Sequence, residues 1–108
     1  MKDNKFSTED YNPTQIKASG LDGINGIVFD YDGTEKKNSK TYGDFYVIHG
    51  KCQDEAFGAI GQPITIIFSS VKLQRILVEN HDTLFGHKLR LTGHGDDKKR
   101  EYEIEVLA

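Results

Sequence analysis

Rings and cations are interleaved in one short stretch of the chain. Tyr31, Tyr42, Phe45 and Tyr46 stand among Lys36, Lys37, Lys40 and Lys51, and His49 lies between the last two. Flat rings stack on flat bases and ammonium groups neutralise phosphates. Together they hold a flexible single strand of nucleic acid by its bases and its backbone. Arg90, Lys98, Lys99 and Arg100 form a second cationic group around the acids Asp96 and Asp97. Its plainer reading is a charged hairpin that stays soluble. A third constellation is acidic. Asp30 and Asp32 close the apolar run Ile27-Val-Phe and lead into Gly33-Thr34. Asp-Gly is also a turn pair, so the same residues fit a hairpin. His49, His81, His87 and His94 lack zinc-site spacing. Cys52 has no catalytic partner beside it and reads as a small residue at a strand end. Gly93 and Gly95 read as turn glycines. No Walker A or dinucleotide fingerprint occurs. No catalytic residue, metal or cofactor is expected.

The frame for these residues is small. A chain of 108 residues makes one domain with one core. Hydrophobic residues are 36%, charged residues 29% and mean hydropathy is −0.58, which excludes a coiled coil, a collagen or a disulfide scaffold. Apolar runs are as short as Ile66-Ile67-Phe68, far from the ~18 residues of a membrane span. No apolar stretch follows Met1-Lys-Asp-Asn-Lys, so no signal peptide is expected. A single cysteine excludes an internal disulfide and a Cys-based zinc site. It fits a reducing compartment, so a cytoplasmic location is expected. A net charge of −3 excludes a histone-like or polybasic membrane binder. The charge is unevenly spread. Gly33–Lys51 carries four lysines against two acids, and Gly86–Arg100 carries five basic residues against two acids.

Residues 1–13 read as a polar, flexible tail, and 14–108 as the folded domain. Within it, Ile24–Asp32 alternates as a strand, with Ile27, Phe29 and Tyr31 on one face. A polar loop is expected over Gly33–Gly43. Phe45–Cys52 is a second strand and Ile64–Phe68 a third, apolar and central. The period then changes to that of a helix within Val71–Leu84, capped by Ser69-Ser70; it need not continue past Asn80-His81, and Gly86 is a natural stop. Lys88–Thr92 and Arg100–Leu107 alternate as a closing hairpin around the loop Gly93–Lys99. Leu89, Leu91, Tyr102, Ile104 and Val106 are its core-facing residues.

This order predicts an all-β fold with one helix: a five-stranded OB-fold-like barrel with the helix between strands three and four. An SH3-like barrel and a split sandwich are the competitors. OB-folds bind oligonucleotides or oligosaccharides on the face of their second and third strands, flanked by the loops after strands one and four. Those loops fall within the two basic stretches. The expected site is therefore Tyr31, Lys36, Lys37, Lys40, Tyr42, Tyr46, His49, Lys51, Arg90, Lys98, Lys99 and Arg100. The expected partner is single-stranded DNA, or RNA, with replication or recombination proteins beside it and no membrane. A non-catalytic protein-interaction barrel is the alternative.

Two family resemblances bear on this reading. Ile16, Lys17, Ala18, Ser19 and Leu21, with Asp82, Thr83, Gly86, Lys88, Leu89 and Leu91, form a pattern that resembles small OB-fold proteins of phages and mobile elements. His87 stands as an extra residue between Gly86 and Lys88. The resemblance implies single-stranded DNA binding in replication or recombination, without catalysis. The string Asp30-Tyr31-Asp32-Gly33-Thr34 is similar to the first motif of haloacid dehalogenase-like phosphatases. That resemblance implies a nucleophilic Asp30, an acid/base Asp32 and Mg²⁺. Ser69 or Ser70, Lys72 and Asp96-Asp97 would be its later motifs. Such a fold needs a parallel sheet with a helix after the first strand, and here a Lys/Asn/Ser stretch and another strand follow instead.

Overall fold

The strongest alternation in the chain, Ile27 to Tyr31, forms the centre of the sheet. In a computed structural model that describes residues 14–21, 26–41, 43–95 and 100–107, six strands pair in the order β1-β4-β3-β2-β5-β6. They are β1 (Thr14–Lys17), β2 (Ile27–Ser39), β3 (Gly43–Cys52), β4 (Pro63–Phe68), β5 (Lys88–His94) and β6 (Glu101–Val106). All neighbours are antiparallel except β1 and β4. The sheet curls into a half-barrel, so the fold is mainly β.

The inner face of the curl is the core. Ile27, Phe29 and Tyr31 of β2 lie beside Ile48 and Cys52 of β3, Ile64, Ile66 and Phe68 of β4, and Leu89 and Leu91 of β5. Each such side chain contributes roughly 1.5–3 kcal/mol of burial. Helix α1 (Val71–Glu79) closes the curl with Leu73 and Leu77. It starts where expected: Ser70 Oγ accepts the Leu73 N–H at 3.2 Å and satisfies one open donor of the first turn.

The helix expected within Val71–Leu84 is two helices. α1 ends at Asn80, whose backbone leaves the helical region and whose side-chain amide donates to the Ile76 carbonyl at 2.9 Å. An amide that bonds the backbone this way competes with the helix ladder. A separate turn, α2 (His81–Leu84), then buries Leu84.

Three further expectations change. A strand forms before the predicted five: β1 pairs in parallel with β4, Ile16 opposite Ile66. Four residues are too few for a period to show. The polar loop expected over Gly33–Gly43 is mostly strand. β2 runs to Ser39 and pairs with β3 throughout, and its last residues, Lys37–Ser39, pair with Gly43–Phe45 as a two-stranded ribbon that extends beyond β4 and β5. Cross-strand bonds hold its polar side chains: Asn38 Nδ2 donates to Asp44 Oδ1 at 2.6 Å, and Lys36 Nζ lies 3.4 Å from Asp44 Oδ2. Both hold the Asp44 carboxyl below its usual range, the Asn38 bond most strongly. Val106 was expected in the core and is 45% exposed, because β6 is the last strand of the sheet and no further strand extends the inner surface past it.

Candidate nucleic-acid interface

Asp32 decides which side chain faces where. It is an extra residue in β2: Tyr31 pairs with Gly50 and Gly33 with His49, so Asp32 has no partner on β3. Gly33 beside it takes φ +126°, a conformation side-chain-bearing residues rarely adopt. The Asp-Gly pair therefore makes a β-bulge inside a strand and not the turn expected of it. Beyond the bulge the faces swap. Thr34 and Lys36 continue the inner face, and Glu35 and Lys37 the outer one.

The outer face then reads as cross-strand rows. Lys88, Asp30 and Lys51 lie side by side on β5, β2 and β3. Next come Gly33, His49, Thr65 and Gln15, and then Glu35, Val47, Ile67 and Lys17. Lys37 stands opposite Phe45 at the ribbon end. Arg90 lies across from Val28 and pairs with Glu105 at 3.3 Å. Lys17, Lys37, Lys51, Lys88 and Arg90 are all exposed on this face, around half-buried Phe45 and His49. Phe45 stands among the interleaved rings of the sequence but outside the expected site residues. Its opposite parity to Tyr46 and Ile48 was the available signal. Lys17 and Lys88 were also missed, although Lys88 alternates with core-facing Leu89.

The expected site residues divide. Lys37, His49, Lys51 and Arg90 share the outer face. Lys36 and Tyr46 lie on the inner side, where the Tyr46 ring stacks on Phe68 at 5.3 Å. Tyr31 is a correction. It is fully buried, because it continues the core face of Ile27 and Phe29, and no base reaches its ring. Its hydroxyl hydrogen-bonds Thr34 Oγ1 at 2.6 Å, and burial pushes its ionisation up. Lys40 is exposed in the ribbon turn. Arg100 lies across Gly93 and over the Tyr102 ring at 5.6 Å, with Nη1 donating to the Gly95 carbonyl at 3.2 Å. Tyr42, Lys98 and Lys99 lie outside the described residues.

One acid on this face is held in place. His49 Nε2 lies 2.9 Å from Glu35 Oε2, and Lys37 Nζ lies 3.5 Å from Oε1. The His49 bond, foremost, holds the Glu35 carboxyl below the usual carboxylate range. A lowered folded value stabilises the fold above the unfolded value of about 4.3, and that contribution is lost as pH falls through the folded value. The denaturation midpoint is therefore expected to fall less between pH 6 and pH 3 in Glu35→Gln than in the unaltered protein. Equal slopes would show that the pair contributes nothing.

The phosphatase-like string sits in a different setting from the one that chemistry requires. Asp30 accepts Gln53 Nε2 at 2.8 Å, and both neighbours of β2 are antiparallel. After β2 the chain turns directly into β3. Among the described residues, no helix is long and apolar enough to cross a membrane.

No family model, curated protein or solved structure matches the chain.

Proposed function

We propose that this protein binds single-stranded nucleic acid, DNA before RNA, on the outer face of β2 to β5, without catalysis. The observation that carries the reading is the row pattern itself. Cations from β1, β2, β3 and β5 converge on one face around Phe45 and His49. Five antiparallel strands in the sheet order β4-β3-β2-β5-β6, with a helix between β4 and β5 along the chain, support an OB-like arrangement. In such folds this face is the binding surface. The resemblance to small phage and mobile-element proteins implies, as part of this proposal, a role in DNA replication or recombination. The positions carrying it are structural here: Ala18, Leu21, Leu89 and Leu91 are core, and Gly86 takes φ +81° at a turn.

The cations act against a net charge of −3, so the contact is short-range and salt-sensitive. A labelled oligothymidylate, titrated at about 50 and 200 mM salt, tests this. Single strands are expected to bind more tightly than duplex. Lys37→Gln and Lys51→Gln should each lower the salt slope by about 0.7, the value for one single-strand phosphate contact. Phe45→Ala should cost about 1–3 kcal/mol of binding if the ring stacks on a base. No binding of DNA or RNA at the lower salt would overturn the proposal.

A further inference from the structure

The last strand has one neighbour among the described residues. β6 pairs with β5, and its other edge ends the sheet. Leu107 N–H donates to the Lys88 carbonyl at 2.9 Å, which fixes the ladder's phase. In an antiparallel pair every second residue bonds across, so Glu101, Glu103 and Glu105 bond toward β5. Tyr102, Ile104 and Val106 then turn their N–H and C=O groups to the free edge. Their side chains lie on the inner face and are only partly covered.

The outer side of the same edge is a row of carboxylates. Each meets a basic side chain from the sheet or the helix. Arg90 is 3.3 Å from Glu105, His94 is 3.7 Å from Glu103, and Lys72 is 3.6 Å from Glu101. The Glu103 side chain stays 75% exposed. A carboxylate accepts several hydrogen bonds, so each keeps capacity for another cation. A second copy of β6 does not fit. Antiparallel pairing about Glu103 sets glutamate against glutamate, and like charges directly opposite destabilise a ladder. The strand that already fits, β5, alternates Lys88, Leu89, Arg90 and Leu91, with its cations outward and its leucines inward.

We infer that the free edge of β6 is a docking strand for an extended segment of another protein, one in which Lys or Arg alternates with apolar residues as in β5. The segment extends the sheet. Its main chain pairs with Tyr102, Ile104 and Val106, its apolar side chains continue the inner face over Ile104 and Val106, and its cations meet the glutamates. The site adjoins the nucleic-acid face at the Arg90–Glu105 pair, but the inference rests on the edge of β6 and does not depend on that face.

A fluorescein-labelled peptide of alternating Lys and Val, flanked by glycine, is the probe. Binding is expected at about 20 mM salt and should weaken about tenfold or more at about 300 mM. A counterpart that keeps every Val and has Glu in place of every Lys should bind about tenfold more weakly or not at all. So should the Lys peptide N-methylated at the amides that face β6, which keeps the charge and removes the ladder. Amide exchange should slow at Tyr102, Ile104 and Val106 on binding. Glu103→Lys leaves an exposed position exposed, and should narrow the preference for the Lys peptide over the Glu peptide about tenfold, since two of the three carboxylates remain. Equal binding of the methylated peptide would reduce the contact to loose ionic attraction and overturn the inference. Absence of binding at low salt, or self-association that protects the same amides, would overturn it too; the glutamates would then serve to keep the edge unpaired.

Discussion

Phe29→Ala is expected to lower the stability of the fold by about 3–5 kcal/mol. Phe29 is fully buried at the middle of β2, the strand flanked by β3 and β5, so its ring is walled by core residues from both neighbours. Truncation removes the burial of the ring and leaves a cavity that a three-strand ladder cannot close. Denaturant titration followed by far-UV dichroism reads the change, with the slope of the transition unaltered if only stability moves. A loss below about 1 kcal/mol would place the ring outside the core.

The second large effect comes from adding one carbon. Gly50 sits opposite Tyr31 in β3, directly beside the bulge. A Cβ there would stand 2.5 Å from the Asp30 carbonyl oxygen and 2.9 Å from Phe29 Cδ2. The first of these is backbone and cannot rotate away, so β2 and β3 must separate where the core is tightest. Gly50→Ala is expected to cost about 1–3 kcal/mol, against the usual gain from replacing a strand glycine. The two substitutions should not add. With the Phe29 ring gone, one of the two clashes is relieved, so the double variant should lie above the sum of the singles. Strict additivity would mean that Gly50 and Phe29 do not touch.

The elements with a clean period were legible in the sequence. Ile27 to Tyr31, Leu89 to Leu91 and the run Ile64 to Phe68 each carry enough alternating or apolar residues to fix a strand and its buried side. Ser70 announces a helix by its chemistry alone. The ribbon was not legible, because Glu35 to Ser39 are polar on both faces and gain their pairing only from β3. The candidate site failed for a more specific reason. One bulge at Asp32 inverts the parity of everything after it in β2, and a period-two reading has no way to see an inserted residue. Lys36 and Lys37 therefore part company, and Tyr31 belongs with the core. Lys51, His49 and Arg90, which lie on strands without such an insertion, fall on one face as their own alternation implies.

The parallel pairing of β1 has a consequence for how the chain is made. Thr14 faces Ile64, its partner 50 residues later in the sequence. At roughly 5–20 residues per second of synthesis, β1 waits about 3–10 s before β4 exists to receive it. The hairpin of β2 and β3 needs no such delay, since its two arms are contiguous. Of the described strands, the first to be made is thus placed only after β2, β3 and β4, and until then its own N–H and C=O groups lie open to any other strand in reach.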